Sequence, residues 1–243
     1  YSPTVYVDGD LIESVADEPR LAPGIRAVGV TFDFAQKPEF GGVMLADQAS
    51  SGKTVNRMLH INRHSEDLLS KLEAVRLLCR ESGCAQRYLT HDALNAIYQS
   101  TWRMADAKAG SEYHGRFLDY LHDIQDRDLT LGVAMTDAKG ERSKRPHAQS
   151  NSDAYVHISE RRADGIVLSG TKAIVTGGPY MHELLVMPCR TMVAGDTDFA
   201  VCCAVPIDAK GLTVVARPAG RPGQAAAKFS AQYGQSTAVC HFS

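Results

Sequence analysis

The chain has 243 residues, enough for two modest domains or one large one. Hydrophobic residues at 44% and charged residues at 22% sit near the averages for folded globular proteins and exclude a disordered chain. A net charge of -2 supplies no field toward nucleic acid or a membrane surface, and no apolar run approaches the roughly 20 residues that span a bilayer.

The opening, Tyr1-Ser-Pro-Thr-Val-Tyr6, has neither a basic n-region nor an apolar h-region, so no secretory signal is expected. It lacks an initiator Met, and residues upstream are expected. Helical spacing begins at Ser65, with Leu68, Leu69, Leu72, Val75, Leu78 and Cys79 on one stripe. Ser65 reads as its N-cap, with Glu66 and Asp67 in the first turn to suit the helix dipole. A second helix is expected over residues 91–108, carrying Leu94, Ile97, Tyr98, Trp102 and Ala105 and stopping before Gly110. A third is expected over residues 113–127, with Phe117, Leu118, Leu121 and Ile124 facing inward. These three read as one packed unit.

Near residue 128 the period falls to two. Strands are expected over residues 129–136, 155–160, 165–169, 172–176, 183–187, 199–206 and 212–216. Turn signals separate them at Asp164-Gly165, Ser169-Gly170, Gly177-Gly178 and Lys210-Gly211. Helices followed by strands imply separate domains, a mainly helical one over 1–128 and a β sandwich or barrel over 129–243. The stretch 219–227, rich in Gly, Pro and Ala, reads as a mobile loop.

The cysteines are Cys79, Cys84, Cys189, Cys202, Cys203 and Cys240, without a C-x-x-C pair or zinc spacing. Cys202 and Cys203 read as small hydrophobes in a buried strand, and a reducing, cytoplasmic setting follows. Ser51-Gly-Lys-Thr54 resembles the end of a phosphate loop, but the required earlier Gly is Asp47. His182-Glu183 opens like a zinc-protease motif and fails where the second His would be Val186. Arg142, Lys144, Arg145 and His147 form a basic cluster, which suits a solvated loop or a phosphate site equally well.

The run from Gly132 to Arg142 ends an expected strand and enters a polar turn. Such a strand end offers backbone N–H groups, the Thr136 hydroxyl and a small-residue approach to a flat ring. An isoalloxazine uses those features, an apolar platform with donors near its pyrimidine edge.

Longer stretches carry a resemblance. Gly52-Lys-Thr-Val-Asn-Arg57, Asp92-Ala-Leu-Asn-Ala96, Tyr113-His114, Ile124-Gln125, Ala134-Met-Thr-Asp137 with Lys139-Gly140, and Asp164-Gly-Ile-Val167 are the strongest. Met187-Pro188 and Ala204-Val-Pro206 extend it. Over nearly its whole length the chain resembles the 4-hydroxyphenylacetate 3-hydroxylase and 4-hydroxybutyryl-CoA dehydratase flavoprotein family, more closely its dehydratase branch. The resemblance implies an α+β multidomain, acyl-CoA-dehydrogenase-like fold: an N-terminal helical domain, a middle β-barrel or sandwich domain, and a C-terminal helical domain that this chain lacks. It also implies FAD, held partly by Ala134, Met135, Thr136, Asp137, Lys139, Gly140, Glu141 and Arg142, and by Ala173, Ile174, Val175 and Thr176.

Several positions depart from the family. The dehydratase carries two cluster-ligating cysteines in a C-x-x-x-C segment, which here reads Cys84-Ala-Gln-Arg-Tyr88, so Tyr88 replaces the second ligand. A [4Fe-4S] cluster takes thiolate or imidazole ligands, and a neutral phenol is a poor substitute. The family's Gly-Gln-Glu stretch corresponds to Gly234-Gln-Ser-Thr237, without the carboxylate, and its His-Gln-Thr-Gly reads Ile174-Val-Thr-Gly177. The hydroxylase's phenol-gripping Arg, Tyr and His align with Leu89, Ala93 and Val133. Catalytic residues are therefore unassigned, with Arg87, Tyr88 and His114 as pocket candidates.

The expected function is that of a flavin-dependent oxidoreductase of the monooxygenase type, without an iron-sulfur cluster. The alternatives are a lyase or isomerase acting on a CoA ester, and a non-catalytic partner subunit. Expected partners are a small-molecule substrate, a flavin reductase, and a C-terminal half supplied by a partner chain or by the remainder of a longer one. Without that half, exposed apolar faces predict an oligomer.

Overall fold

The structure, a computed structural model, describes residues 1–84, 87–108, 110–219 and 225–243. Most of the expected loop at 219–227 lies outside the described residues, as do Ala85 and Gln86. In chain order the elements begin with β1 (Thr4–Val7), β2 (Asp10–Leu11), α1 (Ala22–Ala35), α2 (Gly41–Met44), β3 (Leu45–Gln48) and β4 (Lys53–Asn56). Then come α3 (Ser65–Ser82), α4 (Tyr88–Asp106), α5 (Ser111–Asp126), β5 (Leu131–Ala134), β6 (His157–Arg162), β7 (Gly165–Thr176) and β8 (Glu183–Val186). The chain continues through β9 (Cys203–Pro206), β10 (Leu212–Arg217), α6 (Lys228–Tyr233) and β11 (Thr237–Phe242). Two compact units result, one of Tyr1–Ile25 with Leu131–Ser243 and one of Arg26–Thr130.

In the β unit, one sheet has the order β2-β1-β10-β11-β7-β6 and a second the order β5-β8-β9. A single core cluster takes Val5, Val7, Val214, Ala216, Ala238, Cys240 and Phe242 from the first sheet, and Ala134, Leu184 and Val186 from the second. The alternation expected of half-buried strands is plain in β11, where Ala238, Cys240 and Phe242 are buried and their neighbours are not. The first 25 residues, expected with the helices, belong here because β1 pairs in parallel with β10, from Thr4↔Thr213 to Val7↔Ala216.

The expected turn at Ser169-Gly170 is absent, and the two strands expected around it are the single 12-residue β7. Gly170 is needed for close approach: its φ is 120°, and an added Cβ would lie 2.3 Å from the Tyr155 carbonyl oxygen. The strand expected over 199–206 keeps only its last four residues. Cys202 is exposed and Cys203 half-buried, contrary to expectation. Cys240 is the buried thiol, and desolvation pushes its pKa up to about 12.

In the helical unit the buried segment Arg57–Ile61 is a single 3-10 turn over Arg57–Leu59 followed by extended chain, which leaves most of its backbone groups without helix or strand partners. Side chains satisfy them instead. Gln125 Nε2 donates to Leu59 O at 2.8 Å, Asn95 Nδ2 to His60 O at 3.1 Å, and Ile61 N–H to Gln48 Oε1 at 3.0 Å. His91 Nδ1 lies 3.0 Å from Arg57 O, so Nδ1 carries the proton; Nε2 then accepts from Asn62 Nδ2 at 3.1 Å. Helix α5 buries Phe117, Leu121 and Ile124 as its spacing predicts. On α3 the expected stripe is buried at Leu78 and half-buried at Val75, with Ala74 and Ser82 buried beside it, while Leu68, Leu69, Leu72 and Cys79 are exposed. Trp102 of α4 is exposed too. The α3 N-cap is His64, one residue earlier than expected, and the Asp67 carboxylate accepts from the Arg63 and His64 N–H groups at 2.8 and 3.4 Å.

Two predictions follow from this packing. Gly170→Ala should cost about 3 kcal/mol or more in urea unfolding, since both the positive φ and the Tyr155 carbonyl oppose a side chain; a loss below about 1 kcal/mol would contradict the close approach. Burial is the main cause that lowers the His91 pKa, to about 4, below its unfolded value. The neutral ring is therefore favoured by folding, and that stability is present above the unfolded pKa and lost as pH falls toward 4. Between pH 7 and 5 the His91 contribution should fall by about 2 kcal/mol. Urea unfolding followed by Trp102 fluorescence checks it, with the slope reduced in His91→Gln.

Candidate functional site

The end of β5 is fixed by one buried cation. Lys172 enters β7 between Thr171 and Ala173 and is 2% exposed, as is Asp137. Its Nζ donates to Asp137 Oδ1 at 2.7 Å, Met135 O at 2.9 Å and Met187 O at 2.8 Å. An ammonium has three donors, and all three are used. The same Asp137 oxygen accepts the Val156 N–H at 3.1 Å, and Thr136 O accepts the Ala173 N–H at 2.7 Å. Met187 N–H closes the other side on Ala134 O at 3.1 Å. Desolvation first, and then the Asp137 carboxylate, raise the pKa of the nearby Cys189 thiol.

Immediately after Lys172 the ladder breaks. Ala173 and Ile174 together oppose Val239 of β11, because Val175 pairs with Ala238 and Lys172 with Cys240. Ile174 takes φ 59° and is 62% exposed. A β-branched side chain in the left-handed region is strained, and such strain gathers at ligand sites. Met135, 42% exposed, also meets solvent. The hydroxyl of half-buried Thr136 has no hydrogen-bond partner among the described residues.

Other expected cofactor residues are placed differently. Ala134 and Val175 put their side chains in the core, so only their backbones face outward. Thr176 is half-buried at the end of β7. Lys139 and Gly140 turn the chain with φ of 74° and 28°. Glu141 is held by Lys144 at 2.8 Å and by the Ser150 hydroxyl at 2.7 Å, and these two, in that order, lower its pKa. Of the basic cluster, Arg145 and His147 are engaged by Asp196, a fully buried carboxylate that the sequence reading passed over. Although burial opposes it, hydrogen bonds from His147, the Val193 N–H and Arg145 hold Asp196 below the usual carboxylate range. Gly195 lets the His147 ring approach to 3.1 Å of where a Cβ would stand. Arg142 and Lys139 are exposed and carry no ion pair among the described residues.

The pocket candidates lie in the helical unit. Arg87 is buried, donates to Asp128 Oδ1 at 2.7 Å and Leu129 O at 2.8 Å, and stacks on Phe32 with its Cζ 4.7 Å from the ring centre. Its Nε and Nη1 have no partner among the described residues, and burial lowers its pKa. His114 Nδ1 meets the Thr101 hydroxyl at 3.0 Å, and its ring meets Tyr98 edge-on at 5.2 Å. Tyr88 is exposed in the first turn of α4. Cys84 is half-buried, and desolvation raises its pKa. Among the described residues no three His, Cys, Asp or Glu side chains are grouped to hold a metal ion, and no helix is long and apolar enough to cross a membrane.

An α+β chain of this fold is found within a known class of enzymes. Residues 2–243 match the family model described as 4-hydroxyphenylacetate 3-hydroxylase N terminal, and the chain belongs to that family. It is 40% identical over 212 residues to 4-hydroxybutyryl-CoA dehydratase/vinylacetyl-CoA-Delta-isomerase of Clostridium aminobutyricum, covering 87% of this chain and 43% of the relative. To the 4-hydroxyphenylacetate 3-monooxygenase oxygenase component of Geobacillus sp. (strain PA-9) it is 25% identical over 230 residues, 92% of this chain and 45% of the relative. An oxygen-tolerant archaeal 4-hydroxybutyryl-CoA dehydratase from N. maritimus superimposes with a TM-score of 0.91 at 33% identity, over 100% of this chain and 49% of that one. The FAD complex of the 4-hydroxyphenylacetate 3-monooxygenase oxygenase component shares the fold, with a TM-score of 0.82 at 22% identity over 99% of this chain and 49% of that one. The chain thus spans about half the length of the relatives it matches.

Strain at Ile174 gives a direct check. Ile174→Gly removes the left-handed penalty at an exposed position, so it should raise stability by about 1 kcal/mol in urea unfolding. A loss of stability would show that the Ile174 side chain contributes packing that outweighs its backbone strain.

Proposed function

We propose that this chain forms the flavin-binding half of an FAD-dependent oxidoreductase of the monooxygenase type that works without an iron-sulfur cluster. The observation that carries the flavin reading is the surface made by Met135, Thr136 and Ile174. Met135 and Ile174 are exposed, the Thr136 hydroxyl has no partner among the described residues, and the Ala173 N–H to Thr136 O bond brings the end of β5 beside the β7 bulge. In this reading Met135 and Ile174 supply the apolar face, and Thr136 supplies a hydrogen bond to the polar edge of the ring. The backbones of Ala134, Asp137, Ala173 and Val175 and the Thr176 side chain complete the rim. Arg142 and Lys139, exposed and without ion pairs among the described residues, suit the diphosphate. FAD, when bound, supplies the redox chemistry; the chain's own residues bind it, orient it and exclude water from one face.

The cluster-free part of the reading rests on Tyr88. A phenol stands where the dehydratase motif has its second thiolate, and Cys84 is left as the lone thiol of that segment. The sequence likeness to the dehydratase favours a second reading, a lyase or isomerase acting on a CoA ester. Iron and acid-labile sulfide in the purified protein distinguish the two. For the monooxygenase reading, a small phenolic substrate and a flavin reductase complete the system.

Quenching of FAD fluorescence on titration with the protein tests the site. The wild type should bind FAD, and Thr136→Val should weaken binding about tenfold, the equivalent of one hydrogen bond, with the urea midpoint unchanged. Equal affinity in the two proteins would remove Thr136 from the site, and no quenching by wild type would sink the flavin reading.

A further inference from the structure

Resting on the flavin reading above, we infer that Lys172 is a positioning residue for the flavin, and that its ion pair with Asp137 serves ligand placement and not merely the stability of the β unit. The ammonium binds the residues on both sides of Thr136, Met135 through its carbonyl and Asp137 through its carboxylate. Its third donor reaches Met187 O, just beyond the end of β8. The ends of β5 and β8 therefore meet the interior of β7 at one nitrogen. Thr136 O is taken by the Ala173 N–H, which leaves the Thr136 hydroxyl as the one polar atom of that residue's side chain available to a ligand.

A stabilising role alone does not call for this arrangement. A buried ion pair is weak evidence for stability, because apolar residues of similar volume often replace such a pair at no cost. What apolar residues cannot do is donate to two carbonyls at once. Without the ammonium, Met135 O and Met187 O lose their shared donor, and the backbone around Thr136 gains freedom that ligand binding must remove. The side chain of Lys172 is itself sealed from solvent, so it acts on a ligand only through Met135, Thr136 and Asp137. The bulge that exposes Ile174 begins at the next residue, Ala173, so the same cation also sets where the apolar face starts.

The test separates placement from stability with three variants. Lys172→Met leaves a buried carboxylate and should lower both the urea midpoint and FAD affinity. The double variant Lys172→Met/Asp137→Leu removes both charges and should recover part of the midpoint, short of wild type because Met135 O, Met187 O and the Val156 N–H stay unpaired, while its FAD dissociation constant stays at least tenfold above wild type. The milder Asp137→Asn keeps the shape and an oxygen for the Val156 N–H; it should fold and bind FAD several-fold more weakly, with the bound flavin's visible circular dichroism altered. A double variant that recovers stability and FAD affinity together would overturn the inference and leave the flavin reading intact, as would Asp137→Asn with wild-type affinity and spectrum. Failure of the wild type itself to bind FAD would remove the flavin reading and the inference with it.

Discussion

One ammonium group holds the edge on which the proposed site is built. Lys172 has given up water for three protein oxygens, and a buried cation is tolerated only when such partners are complete. Because those oxygens belong to Met135, Asp137 and Met187, the ends of β5 and β8 are bound to β7 at one point. The Asp137 carboxylate then reaches Val156, the far end of the loop that follows β5. The long connection between β5 and β6 is thus closed at its base by a charge that the sheet itself supplies.

Strain and exposure sit next to that point. Ile174 is held left-handed in the β7 bulge, and Met135 stands in solvent at the end of β5. Neither feature benefits the chain on its own, since one costs backbone energy and the other leaves apolar surface in water. A flat, partly apolar ligand with a polar edge accounts for both. Asp196 makes a second fixed point, gathering Arg145 and His147 so that the basic cluster splits into held members and an exposed Arg142.

Much of the architecture could be read from local pattern. Short apolar and alternating runs gave β8 and β10 their places and both ends of β7, though not its continuity through Gly170, and the stripe of Phe117, Leu121 and Ile124 gave α5 its inner face. What escaped was non-local or masked by composition. Strand β1 is four residues long and finds its partner β10 some 200 positions away, a pairing that no window on the sequence contains. Helix α1 includes Pro23, Gly24 and Gly29, whose low helix propensities hide it. On α3 the leucines suggested one face, yet the buried positions are Ala74, Leu78 and Ser82; periodicity gives a stripe's spacing and not which stripe meets a partner. For the site, the motif around Thr136 was visible, whereas the Lys172 clamp was not. A lysine within Thr171-Lys-Ala-Ile-Val175 was the available signal, because a charge in an otherwise apolar strand needs a partner.

Hydrogen exchange of the protein with and without FAD tests most directly where the flavin sits. The account predicts that FAD slows exchange in peptides covering residues 134–142 and 172–177, with little change in the α3 helix. Protection confined to other segments, with these two unchanged, would contradict the placement of the flavin on the Met135, Thr136 and Ile174 surface.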